Sequence, residues 1–193
     1  MTLTNVVQSV HEGNQPTASQ RTSYMVFGCK PKKANSIKPT DKRRLSLLNS
    51  DFKVMTGLVN NRFKHVATHT LSPSQLAAGD NRRIHHGINK ARDAITAAGR
   101  GKEGVGILDN DYKAAFDYMV LHWVFKVLKA KGLIQEVIDR MANLYSNNLT
   151  VVAVNNIPGR CIPNNYYSIR QGDRQSGNLF CYGIDLHITH ITD

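Results

Sequence analysis

Two incompatible apolar periodicities alternate along this 193-residue chain, so neither an all-helical nor an all-strand fold can accommodate it. Phe52, Met55, Val59, Phe63 and Val66 recur at steps of three and four, which places them on one face of a helix that Asn49 or Ser50 can cap. Ile84, Ile88, Ala91 and Ile95 repeat the pattern in a second helix ending near Gly99, whose other face carries Arg82, Arg83, Lys90 and Arg92. Residues 117–132 and 133–148 give two more helical patterns, closed by Gly132 and by the pair Asn147-Asn148. Between and after them the period falls to two. "SYMVFGCKPKK" begins as a strand and turns basic, "VGILDND" alternates, and "LTVVAVNN" runs through "IPGRCIPNN" to "YYSIRQG" as a β-hairpin flanked by turn residues. "GNLFCYGIDLHITHI" starts a last helix. Helices and strands in mixed order predict an α+β fold. Residues 1–22, poor in apolar periodicity, read as a loose N-terminal segment.

Charge narrows the partners. Lys and Arg number 25 against 14 Asp and Glu, a net charge of +11 that favours a polyanion, and nucleic acid is the commonest. Lys30, Lys32, Lys33, Lys38, Lys42, Arg43 and Arg44 crowd into one short stretch, which suits phosphate contact; a solvated loop is the alternative. Cys29, Cys161 and Cys181 cannot all pair and have no CxxC spacing, so a reducing, intracellular setting is expected. No secretory leader and no bilayer-length apolar run are visible, so no membrane partner is expected.

The acidic residues of "GVGILDNDYKAAFDYM" raise a chemical question. Asp109 and Asp111 stand two apart, on one side of a pleat, and would lie roughly 7 Å apart at a strand end, where hard divalent cations find oxygen ligands. They serve equally well as solvated edge residues, and Asp117 is placed to cap the helix that follows. Other motifs carry less. Gly99-Arg100-Gly101-Lys102-Glu103-Gly104 satisfies GxGxxG but follows a helix and precedes a strand, the reverse of the dinucleotide-binding order. The pairs His65/His69, His85/His86 and His187/His190 lack Glu or Cys companions at zinc-site spacing. Trp123, Phe125 and Leu128 read as helix packing rather than a base-stacking platform.

Asp111-Tyr112-Lys113-Ala114-Ala115-Phe116-Asp117 resembles the first polymerase motif of reverse transcriptases, especially those of non-LTR (LINE-type) retrotransposons. Further segments agree in order. Arg43-Arg44-Leu45-Ser46-Leu47-Leu48-Asn49 is similar to an Arg-Pro-Ile-Ser-Leu-Leu-Asn segment, with Arg44 in place of the usual proline. Gln75 and Arg82-Arg83-Ile84 fit a Gln-x-Gly-Phe-x-x-Gly-Arg-x-Ile pattern in which Ala77-Ala78 and Asn81 depart. Ser168-Ile169-Arg170-Gln171-Gly172-Asp173 resembles the Arg-Gln-Gly motif, but Arg174-Gln175-Ser176-Gly177 stands where a Pro-Leu-Ser-Pro-like turn is usual.

The resemblance, over about residues 25–190, implies a right-hand polymerase architecture: fingers over 23–100 and an incomplete, ferredoxin-like palm over 101–193 that lacks its second catalytic hairpin. It implies RNA template, DNA primer and dNTP as partners, and two Mg2+ ions that activate the primer hydroxyl and neutralise pyrophosphate. Asp111 would bridge those ions, assisted by Asp109. Arg43 would hold the triphosphate, Phe116 would sit beneath the deoxyribose, and Gln171 and Gly172 would meet the nucleotide. Phe116 can also be an aromatic core residue. Lys30, Lys32, Lys33 and Arg82 would contact nucleic acid. The family completes its site with an Asp-Asp hairpin, and these 193 residues hold no adjacent Asp pair, so the chain reads as a truncated, inactive polymerase fragment. Alternatives are a non-catalytic basic nucleic-acid-binding module of retroelement descent and an open reading frame whose product does not fold stably.

Overall fold

A computed structural model describes residues 2–33, 35–38, 41–100, 111–155, 157–164 and 168–192. Among them lie α1 (Leu3–His11), α2 (Ala18–Arg21), β1 (Thr22–Cys29), β2 (Lys42–Leu48), α3 (Ser50–Thr70), α4 (Ile84–Arg100), α5 (Ala115–Tyr118), α6 (Leu121–Ala130), α7 (Gln135–Tyr145), β3 (Asn148–Val154), β4 (Ile157–Asn164) and α8 (Ser176–Thr192). The α+β expectation is met. The expected strand over 105–111 lies outside the described residues except for its last position, and Asp111 itself is in irregular backbone.

The four strands form one mixed sheet in the order β2-β1-β3-β4, antiparallel at both flanks and parallel between β1 and β3. Register separates the two faces. Ser23, opposite Leu48, meets Thr150 across the β1–β3 pair at 3.2 Å between hydroxyls, and Ser46 and Leu48 are buried on the same side. The opposite side presents Tyr24, Leu45 and Leu47, 49%, 37% and 52% exposed, so this sheet leaves an apolar face uncovered among the described residues. A hairpin forms, β3–β4, but its second strand is the 157–164 stretch expected to be the connection, and 168–172, expected as the second strand, is irregular; the register shifts between Val151 and Ala153.

The inner face meets a helical core. α3 supplies Phe52, Met55 and Phe63, α6 supplies Leu121, Val124 and Leu128, α7 supplies Ile138, Met141 and Leu144, and α8 supplies Leu179 and Tyr182. Complete burial of each large apolar side chain contributes about 1.5–3 kcal/mol, which orients each helix by its apolar stripe. Asn49 caps α3, its side chain accepting from the Asp51 amide at 3.1 Å. At the end of α6, Gly132 adopts φ +86° while its amide bonds Lys129 and the Leu133 amide bonds Leu128, a Schellman closure that favours glycine.

Three further features bear on the arrangement. Within residues 2–22, Val6, Val7 and Val10 of α1 pack on the core, and Arg21 donates to the Pro16 and Asn147 carbonyls. One sheet and one core also span both sides of residue 100, because β1 pairs with β3 and Phe52 shares a cluster with Leu179. The helix over 84–100 forms, but Ile84, Ile88 and Ile95 are 73%, 54% and 50% exposed, so its apolar stripe is not covered by the described residues.

Candidate functional site

Three segments far apart in sequence meet along the β2 edge. β2 would present unpaired backbone there, and the loop 169–175 satisfies part of it: the Ser46 amide donates to the Gln171 carbonyl at 2.8 Å. The next residue closes the contact from above. Gly172 has φ +117°, and a Cβ built on it would stand 2.6 Å from the Ser46 carbonyl oxygen, so only glycine fits. On its other side the same loop reaches the segment after Asp111, where the Ile169 amide donates to the Phe116 carbonyl at 3.1 Å. The triangle is closed by Arg44 of β2 and Asp117 of α5, paired at 2.7 Å.

Asp117 therefore does not cap the following helix as expected. The N-cap position of α6 is Val120, with no side-chain cap bond, and Asp117 lies within α5, drawn to Arg44 instead. The arginine that departs from the proline pattern is thus the residue that ties the two segments together. Because both side chains are partly exposed, this pair contributes about 1 kcal/mol or less, and its value is in orientation.

Phe116 is half-buried with its ring 5.2 Å from Phe180 of α8, which satisfies the core role weighed for it. Asp111 is exposed. Its neighbour Tyr112 turns an edge towards Phe180 and His187, at 6.5 and 6.4 Å between centroids, and so seats the segment on α8. Among the described residues no hydrogen bond or ion pair joins Asp111 to Arg43 or Gln171. Asp109 lies outside the described residues.

The basic stretch occupies the end of the β1–β2 hairpin. Lys32 is exposed in a 3-10 turn, Pro31–Lys33, and Lys38 and Arg43 are exposed beyond it. Arg43 pairs in register with Gly28 and shares its side of the sheet with Leu45 and Leu47, whereas Arg44 points to the opposite side. Lys30 is half-buried, and Lys42 donates to the Cys29 sulfur at 3.2 Å.

Arg82 is committed elsewhere. Its Nη1 donates to the Ser72 and Gln75 carbonyls at 2.6 and 2.9 Å, and its Nη2 to those of Thr68 and Leu71 at 2.8 and 3.0 Å. It therefore closes the C-terminal end of α3, where orphan carbonyls and the helix dipole favour a cation. Phosphate contact by either Nη would break these bonds. The sequence match between Gln75 and Arg82 is realised as a direct contact through the Gln75 carbonyl.

Sequence reasoning missed two buried polar groupings. Lys131 pairs with Asp185 at 2.5 Å, and that carboxylate, fully buried, also accepts from the Ser72 amide at 3.0 Å, joining α6 and α8 to the end of α3. Tyr145, Arg170, Asp173 and Gln175 form the other beneath the 169–175 loop. The Tyr145 hydroxyl lies 2.6 Å from Asp173 Oδ2 and 3.2 Å from Gln175 Oε1, and burial, reinforced by the Asp173 charge, raises its pKa well above 10. Periodicity gave no sign of either grouping, because Lys131 follows a helix end and Arg170 to Gln175 lie in a loop.

Magnesium was implied by resemblance. Asp111 offers one exposed carboxylate and Asp117 is neutralised by Arg44, and among the described residues no group of three or more His, Cys, Asp or Glu converges. A hard cation needs several oxygens, so these residues do not by themselves fit the ion, and no chemical step is assigned through it.

No helix among the described residues is long and apolar enough to cross a membrane. No protein-family model matches the chain. It is 24% identical over 186 residues to a Xenopus laevis protein described as "Transposon TX1 uncharacterized 149 kDa protein", an alignment covering 93% of this chain and 14% of that protein. The chain thus spans about a seventh of the relative's length, and the similarity supports a transposon origin.

Proposed function

We propose that the chain is a segment of a retroelement RNA-directed DNA polymerase, forming the fingers and part of the palm that face nucleotide and nucleic acid. The observation that carries this reading is the meeting of the three motif-bearing segments through Ser46–Gln171, Ile169–Phe116 and Arg44–Asp117. Segments 53, 73 and 125 residues apart have no local reason to meet, and a shared substrate supplies one.

In this reading Arg43, with Lys30, Lys32 and Lys33, attracts phosphate, and the Gln171–Gly172 backbone passes close beneath the nucleotide. Phe116 braces α5 on Phe180 while its ring edge limits the space for a ribose 2′-hydroxyl. Asp111 contributes one carboxylate, and magnesium-dependent nucleotide transfer requires more of them from other segments. A second reading, a non-catalytic RNA- or DNA-binding module, is favoured by the exposed Asp111 and by the lack, among the described residues, of any cluster of three or more His, Cys, Asp or Glu.

Both readings require salt-sensitive binding of an RNA–DNA hybrid. Each phosphate contact contributes roughly −0.7 to −0.9 to the slope of log K against log salt, so removing Arg43 or Lys32 flattens it by about 1 each. Binding indifferent to salt, or unchanged in Arg43→Ala with Lys32→Ala, sinks both. Nucleotide binding separates them: the polymerase segment with hybrid bound holds a dNTP that Arg43→Ala releases, and the module holds none. The 193 residues alone are expected to extend no primer, and extension abolished by Asp111→Ala would overturn that expectation.

A further inference from the structure

Arg170 is 3% exposed, and Nε, Nη1 and Nη2 all lack a hydrogen-bond partner among the described residues. A buried guanidinium with five unmet donors is costly, so its retention requires other compensation. The structure supplies it from three directions. The guanidinium carbon stands 4.6 Å from the centroid of the Phe52 ring on α3 and 5.8 Å from that of Tyr145 on α7, and Asp173 lies close enough to favour its charge. Burial still lowers its pKa, and the Asp173 charge opposes that shift.

The backbone of the same residue sits between two tethers. On one side the Ile169 amide holds Phe116, and on the other the Gln171 carbonyl holds Ser46 of β2. The Arg170 carbonyl itself accepts from the Asp173 amide at 3.2 Å and the Ser176 hydroxyl at 2.6 Å, which fixes the entry to α8. Side chain and backbone therefore anchor opposite sides of one loop.

We infer that Arg170 is the positioning residue of the Gln171–Gly172 loop: its guanidinium, set over the Phe52 and Tyr145 rings, holds that loop against β2. The inference rests on the proposed function only for its consequence, namely that the loop faces nucleotide. A planar cation suits two aromatic faces, whereas the compact, strongly hydrated ammonium of lysine does not.

The test is amide hydrogen exchange on the full chain with Arg170→Met and Arg170→Lys. Loss of positioning lowers protection of the Ser46 amide at least tenfold in Arg170→Met, while amides of the β1–β3 ladder keep theirs; Arg170→Lys falls short of full rescue. A general structural role moves both sets of amides together, and no role moves neither, so either result overturns the inference. Should Arg170→Met not unfold cooperatively in urea, the parent chain decides. Its Arg170 Nε–H resonance must be shifted by the two rings, and a solvent-like resonance overturns the inference. Affinity for an RNA–DNA hybrid is read alongside. Selective Ser46 deprotection with unchanged affinity keeps the positioning role and removes the nucleotide-facing reading of the loop. Lost affinity with unchanged Ser46 exchange overturns the positioning role.

Discussion

Substituting Gly172 by alanine tests the junction between the 169–175 loop and β2. At φ +117° an L side chain is strained, which costs about 1–3 kcal/mol. The new Cβ would also meet the Ser46 carbonyl oxygen at 2.6 Å, where carbon and oxygen normally stay about 3.3 Å or more apart. Relief requires the loop to lift by several tenths of an ångström at least, away from a strand whose Ser46 amide it holds at 2.8 Å. Losing that hydrogen bond costs about 1 kcal/mol more. The total, about 2–4 kcal/mol, lowers the urea midpoint by roughly 1–2 M if the slope is about 2 kcal/mol/M. Gly177→Ala is the internal control: a Cβ there meets nothing within 4 Å and lies in α8, so alanine is neutral or stabilises by up to about 1 kcal/mol. If Gly172→Ala unfolds within about 0.5 kcal/mol of the parent, the account of the junction is refuted.

Arg82→Ala removes four carbonyl contacts at the end of α3 and lowers stability by about 2–4 kcal/mol in urea, with little change in nucleic-acid affinity at temperatures where the variant is folded. Lys131→Met leaves the fully buried Asp185 carboxylate without its cation and costs about 3 kcal/mol, which Asp185→Asn in the same chain partly restores; additive losses would contradict the pairing. Stability also falls between pH 9 and 11. Burial, helped by the Asp185 charge, pushes the Cys181 thiol up from 9.0 to about 11, so the unfolded chain loses this proton first. Its contribution is complete below pH 9 and is lost as pH rises through 11, a change on the order of 3 kcal/mol. The raised hydroxyls of Tyr145 and Tyr182 steepen the alkaline fall, so the Cys181 share is read as the difference from Cys181→Ala at pH 8 and 10.5.

Much of the scaffold was legible because its forces are local. Steps of three and four at Phe52, Met55, Val59 and Phe63 specify the buried face of α3, Asn49 specifies its start, and Gly132 marks the end of α6. Strand β3 followed from β-branched residues bounded by turn formers, but its partner did not, because Pro158, Gly159 and Pro163 of β4 have the composition of a turn. What periodicity could not supply was the choice of neighbours. Asp117 has the composition of a cap, but a cation from β2 competes for it, and that cation stands where proline was the expected residue. Arg82 has the composition of a phosphate ligand, yet orphan carbonyls at a helix end lie closer. Val66 continues the α3 stripe but is 41% exposed, because the stripe outruns the core that covers it. For the candidate site, order along the chain identified the segments, and only the fold shows that Ser46, Phe116, Asp117 and Gln171 meet.

The central claim is that the β2 edge and the 169–173 loop form one surface for nucleic acid. Photocrosslinking of a 4-thiouridine-labelled RNA strand in an RNA–DNA hybrid, mapped by peptide mass spectrometry, tests it most directly. The account predicts adducts within residues 24–48 and 168–175 that diminish together in Arg43→Ala. Adducts confined to α4 or α7, with those two segments unlabelled, would contradict it.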